Sequence, residues 1–154
     1  MRKAALLFVA MVLLVTLTAV SAAGAYLCLP KGTVGFQYDD NVKIWKRTDF
    51  NSSAKYIVSR SQIKNYAWEV KYYGQKEPMS LCREDFNDLG YLFCENAGEF
   101  RMNRKNMRYI RTYILGYYNC NVEDDTGKVM NEDGSCTPFI EIGSCTKLPS
   151  FHPQ

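Results

Sequence analysis

Tyr66-Ala67-Trp68-Glu69-Val70-Lys71-Tyr72-Tyr73 decides the fold class of this 154-residue chain. Tyr66, Trp68, Val70 and Tyr72 fall on one side of an extended backbone, Ala67, Glu69, Lys71 and Tyr73 on the other. Side chains alternate across a strand, so this pattern marks a sheet with one buried face. Gly74 to Pro78 ends the run. Upstream, Gly35-Phe36-Gln37-Tyr38 leads into the turn formers Asp39-Asp40-Asn41. Val42, Ile44 and Lys46 then alternate against Lys43, Trp45 and Arg47, and Lys55 to Ser59 reads as another strand. Downstream, Tyr91 to Cys94 is strand-like, and Asn96-Ala97-Gly98 reads as a turn or bulge. Glu99 to Met102 and Met107 to Tyr118 flank a hairpin loop at Asn103 to Asn106, and Pro138 to Ile142 is a last short strand. From Ser80 to Gly90 a short helix competes, with Ser80 as cap and Gly90 closing it at positive φ. The expectation is an all-β domain with at most one short helix, built as a small antiparallel sandwich, meander or barrel.

The N-terminus has a different texture. Met1-Arg2-Lys3 is basic, Ala4 to Val20 is apolar and uncharged, and Ser21 to Ala25 is made of small residues. That order is the layout of a secretory signal peptide. Small side chains in Val20-Ser21-Ala22 and Ala23-Gly24-Ala25 suit cleavage after Ala22 or Ala25. Residues 1–25 are therefore read as a signal peptide and residues 26–154 as one secreted domain. Only an uncleaved segment would tie the chain to a membrane.

Export places Cys28, Cys82, Cys94, Cys120, Cys136 and Cys145 where disulfides form and persist. Sequence leaves many pairings open. Nearness favours Cys82–Cys94; Cys120–Cys136 would close an acidic loop, leaving Cys28 with Cys145. Metal binding fits poorly, because no two cysteines sit two residues apart and the lone histidine is His152 in the tail. No metal and no cofactor is expected.

Charge and titratable groups narrow the function. Of the net charge of +3, Arg2 and Lys3 would leave with the signal, which removes the electrostatic argument for a nucleic-acid partner. With His152 alone, catalysis by a histidine-activated nucleophile has no support. An enzyme would need a carboxylate pair drawn from Glu69, Glu84, Asp85, Glu95 and Glu99, as in glycosidases. The region Asn121 to Ser135 is acidic, yet Val129 stands where a calcium loop needs its first acid.

The basic hairpin is the first binding candidate. With a loop at Asn103 to Asn106, Arg101 would face Arg108 and Phe100 would face Tyr109, with Arg104, Lys105 and Arg111 nearby. Such a cluster suits an anionic polymer or an acidic protein, or simply keeps an edge hairpin from aggregating. Tyrosine offers rigid area with a polar tip, and among the eleven tyrosines Tyr73 and Tyr118 belong to adjacent pairs of which one must face outward. Asn51-Ser52-Ser53 is a glycosylation sequon if the host is eukaryotic.

Asp85-Phe86-Asn87 through Leu92-Phe93-Cys94, then Gly98-Glu99-Phe100-Arg101-Met102-Asn103, Gly116-Tyr117 and the ending Thr137-Pro138-Phe139-Ile140-Glu141-Ile142-Gly143-Ser144-Cys145 carry a resemblance. The later half of the chain resembles short exported bacterial proteins of uncharacterised function. The resemblance implies a periplasmic or extracellular location and attaches no activity to any residue. The expected role is a secreted, non-enzymatic binding or inhibitor-type module acting on an exported protein or anionic polymer. A carboxylate-dependent hydrolase of cell-wall or matrix glycans is the alternative from another class, and a subunit of a surface assembly is a third.

Overall fold

A computed structural model describes residues 24–39, 41–96, 98–119 and 137–149. The signal segment, the Cys120–Cys136 pairing, the acidic region 121–135 and His152 lie outside the described residues.

Among the described residues nine strands follow one another: β1 Tyr26–Asp39, β2 Ile44–Phe50, β3 Tyr56–Arg60, β4 Trp68–Tyr72, β5 Pro78–Cys82, β6 Tyr91–Asn96, β7 Gly98–Asn103, β8 Arg108–Tyr113 and β9 Phe139–Lys147. Each pairs antiparallel with its neighbour in the order β2-β1-β3-β4-β5-β6-β7-β8-β9, and β1 also pairs with β9. That last ladder closes eight strands into a barrel, so the two ends of the described chain meet at its seam. β2 stands apart: it pairs with Thr33–Asp39 of β1, whereas β3 takes Tyr26–Cys28 of the same edge.

Eight strands leave an interior just wide enough for side chains to fill. Here it holds Tyr56, Val58, Val70, Leu92, Phe100, Met102 and the four described cysteines, all buried. The alternation read at Tyr66 to Tyr73 places Trp68 and Val70 inside as expected, although the strand itself starts only at Trp68. In β1 the alternation breaks. A register shift between Pro30 and Gly32 leaves Lys31 over as a bulge. Inward positions therefore run Tyr26 and Cys28 before it, then Thr33 and Gly35 after it.

Both described bridges cross between neighbouring strands. Cys28–Cys145 joins directly opposed residues of the seam, with Cα atoms 3.9 Å apart, and Cys82–Cys94 ties β5 to β6. These are two of the three pairings expected from sequence, and they fit an oxidising environment.

Three local expectations are corrected. Ser80 to Gly90 forms no helix, because Pro78–Cys82 is drawn into the sheet and Leu81 pairs with Glu95. Gly90 nevertheless sits at φ 88°, in a turn that its missing Cβ permits. The strand expected to reach Tyr118 stops at Tyr113, where its pairing with β9 ends opposite Phe139. Without a neighbour the chain curls into a short helix α1, Leu115–Asn119. The hairpin loop is Arg104–Met107, not Asn103–Asn106, with Met107 at φ 55°. Pairing slides by two positions, so Met102 opposes Tyr109, Arg101 opposes Ile110, and Arg108 opposes Asn103. The like-charge confrontation of Arg101 and Arg108 is thereby avoided, while a slide of two keeps every residue on its original face.

The loop 83–90 plugs one barrel end. Phe86 packs edge-on against Trp68 at 5.1 Å and Tyr26 at 5.8 Å, and Arg104 lies over its ring at 5.1 Å. Asp85 accepts hydrogen bonds from the Trp68 indole (2.8 Å) and the Phe86 amide (2.7 Å), and pairs with Arg60 at 2.6 Å. Burial works to raise the Asp85 pKa, but these donors outweigh it and hold the carboxyl below the aspartate value of 3.8. A depressed folded pKa stabilises above the unfolded value, and that stability is lost as pH falls through the folded one. Acid titration of Trp68 emission in a Trp45→Phe chain is therefore expected to show a small step below pH 3.8, and Asp85→Asn to remove it. A midpoint at or above 3.8 would refute the assignment.

Candidate functional site

Two constellations stand out, one inside the wall and one outside. The inner one gathers polar groups contributed by four strands. Glu141 of β9 is 2% exposed. The Tyr109 hydroxyl donates to its Oε1 at 3.0 Å and the Thr33 hydroxyl to its Oε2 at 3.2 Å. Arg111 lies directly across the ladder from Glu141, and its Nη1 donates to the Tyr56 hydroxyl at 3.1 Å. Tyr56 thus stands between a cation and a carboxyl. Burial raises its pKa first; the Arg111 charge pulls it down, while the Glu141 bond and charge push it further up. Burial and then Glu141 raise Tyr109 likewise. Both phenols therefore keep their protons and serve as hydrogen-bonding links that satisfy buried charge.

Sequence reading assigned Arg111 to the outer basic cluster, and the structure overturns that. Arg111 shares its parity with Tyr109, which falls on the face opposite Arg108, so the strand period alone carried the signal. Its guanidinium lies 4.9 Å from the Phe139 ring centroid and 5.6 Å from that of Tyr56. The cluster is packed into the wall, and among the described residues Glu141 is its one carboxyl.

The outer constellation spans β6 to β9. Phe93, Arg101, Ile110 and Ile142 are directly opposed across successive ladders, forming one row around the barrel. Phe93 is 49% and Ile142 55% exposed, and Tyr91, Ile110 and Ile140 are exposed as well. Tyr91 stacks on Phe93 at 6.2 Å, and Arg101 lies 5.6 Å from the Phe93 centroid while pairing with Glu99 at 2.7 Å. Arg108 has no acidic partner among the described residues. Between them lies a shallow, mostly apolar hollow of about 350 Å³, with Arg101 and Arg108 on its lining.

Not every expected contact residue joins this face. Lys105 and Arg104 are on the adjoining loop, where Arg104 is already engaged over Phe86. Tyr73 and Tyr118 are well exposed but belong to the opposite barrel end, following β4 and β8 respectively. Tyr118 packs edge-on against Tyr117, which in turn meets Trp45 of β2 at 5.2 Å. The contribution that sequence missed is the apolar row itself, since Ile110, Ile140 and Ile142 were placed in strands without a face being assigned to them.

The acids considered for catalysis are mostly committed. Glu69 is buried and pairs with Lys71 at 2.7 Å, Asp85 holds the plug, and Glu99 holds Arg101. Glu84 and Glu95 remain, lining a hollow of about 550 Å³ beside Tyr66 and Arg83. Comparison with known proteins finds no match: no family model, curated sequence or solved structure aligns significantly with this chain.

Proposed function

We propose that this protein is an exported, non-enzymatic binding module that docks onto or inhibits an acidic exported protein through the outer face of β6 to β9. The observation that carries this reading is the exposed row Phe93–Arg101–Ile110–Ile142, with Arg108 unpaired among the described residues beside it. Aromatic and arginine side chains around an apolar centre are the composition of interface hot spots. A packed interior supports the same reading, because it leaves the wall to do the recognising. The bridged cysteines and the signal-like N-terminus support a periplasmic or extracellular setting. Of the two cuts read from sequence, the one after Ala22 retains Ala25, whose carbonyl accepts the Leu148 amide at 2.7 Å.

Reversing both charges in Arg101→Glu/Arg108→Glu is the direct test. Both side chains are solvent-facing, so the circular dichroism spectrum is expected to be unchanged and the unfolding free energy to stay within about 0.5 kcal/mol of the parent. Capture of acidic proteins from the native envelope or medium is expected to fall at least about tenfold, a loss of about 1.4 kcal/mol. Equal capture by parent and variant would reject this face. Release of reducing ends from cell-wall or matrix glycans, abolished by Glu84→Gln/Glu95→Gln, would replace the binding reading with a hydrolase.

A further inference from the structure

β1 and β2 run past the barrel rim. β9 pairs with β1 only as far as Gly35, so among the described residues Phe36 to Asp39 of β1 have β2 as their sole ladder partner. Around its polar turn the ribbon exposes apolar side chains: Phe36, Val42 and Ile44 are each more than half exposed. Among the described residues, the outer edge of β2 pairs with nothing.

The direction of its backbone groups follows from one bond. The Phe36 amide donates to the Pro138 carbonyl on the β9 side, at 3.0 Å. Phe36 and its partner Arg47 therefore form a non-hydrogen-bonded pair of the β1–β2 ladder. By alternation the amides and carbonyls of Trp45, Arg47 and Asp49 point outward, ready to pair with another strand.

We propose that this edge is a self-pairing seam, through which two copies of the chain associate antiparallel with Thr48 opposite Thr48 at the two-fold axis. An isologous antiparallel pair must place some residue opposite its own copy. Centred on Lys46, Arg47 or Asp49, a charge would meet itself. Centred on Trp45, Arg47 would meet Lys43. Centred on Thr48, Arg47 opposes Asp49 on both sides of the axis, and Lys46 opposes Phe50. Of these registers only the last brings unlike charges together without opposing like ones, and it does so through the outward-pointing residues that exchange hydrogen bonds. Threonine opposite threonine is itself a favoured cross-strand pair. Within one copy, Arg47 and Asp49 lie 3.4 Å apart with side chains 73% and 78% exposed, a loose contact that is readily exchanged for the intermolecular one.

Asp49 and Phe50 of this seam share a hollow with Ile140 and Ile142 of the β6–β9 face, but its test reads self-association rather than partner capture, so the two proposals fail separately. Opposed residues of a non-hydrogen-bonded pair have Cα atoms about 4.5 Å apart, within reach of a disulfide. Full-length protein carrying Thr48→Cys is expected to form a covalent dimer under mild oxidation, and Lys46→Cys to form several-fold less. In sedimentation equilibrium, Arg47→Asp and Asp49→Arg are each expected to weaken association at least about tenfold, and the double exchange Arg47→Asp/Asp49→Arg to restore it. Monomer at every concentration overturns the proposal. So does a dimer indifferent to these charges, or cross-linking at position 46 equal to that at 48.

Discussion

Removing the seam bridge with Cys28→Ala/Cys145→Ala is expected to lower the unfolding free energy by about 5 kcal/mol, against about 3 kcal/mol for Cys82→Ala/Cys94→Ala. The difference comes from the chain closed by each bridge. Cys28 and Cys145 are 117 residues apart and Cys82 and Cys94 only 12, and the entropy removed from the unfolded chain grows with the logarithm of that length. A domain of this size is stable by about 5–15 kcal/mol, so loss of the seam bridge removes about a third of that margin or more. Guanidinium unfolding of the two double variants measures it. Equal losses would show that closing the barrel constrains the chain no more than stitching a local hairpin.

The second large effect is expected at Gly143. This residue sits opposite Tyr109 in the β8–β9 ladder, and the tyrosine ring lies across it. A Cβ there would come 2.3 Å from the Leu29 carbonyl oxygen and 2.3 Å from Cε1 of Tyr109, far inside contact distance. The carbonyl belongs to the seam backbone and cannot swing away. The ring could move only by withdrawing its hydroxyl from Glu141, leaving a buried carboxyl short of a donor. Gly143→Ala is therefore expected to cost about 3 kcal/mol or more, combining overpacking with a broken polar network. Tyr109→Phe/Gly143→Ala should recover none of this if the backbone clash dominates. Near-parental stability of Gly143→Ala alone would refute the close approach.

Sequence carried the strand content well because most strands have one buried face. Trp68 and Val70, or Phe100 and Met102, announce their sides through the two-residue period. The first strand was legible only from Gly35, since Pro30 and Gly32 resemble a turn and the Lys31 bulge inverts the alternation halfway. Ser80 and Cys82 looked like a helix start because local capping signals compete with a ladder set by distant β6. The same limit applied to the candidate site. Arg101 and Arg108 were found, but their neighbours Ile110, Ile140 and Ile142 are apolar residues facing water, and hydropathy alone assigns those to a core. Tyr73 and Tyr118 were singled out for being exposed, and exposure says nothing about which barrel end a residue occupies.

Closure at the extremities has a consequence for biogenesis. Ribosomes deliver this polypeptide from its N-terminal side, so Cys28 emerges long before its mate Cys145, while Cys82 and Cys94 emerge in between. Oxidation in order of appearance would capture Cys28 with Cys82. Reaching the native connectivity then requires either a delay until the last strand arrives or a reshuffling catalyst that undoes the premature link.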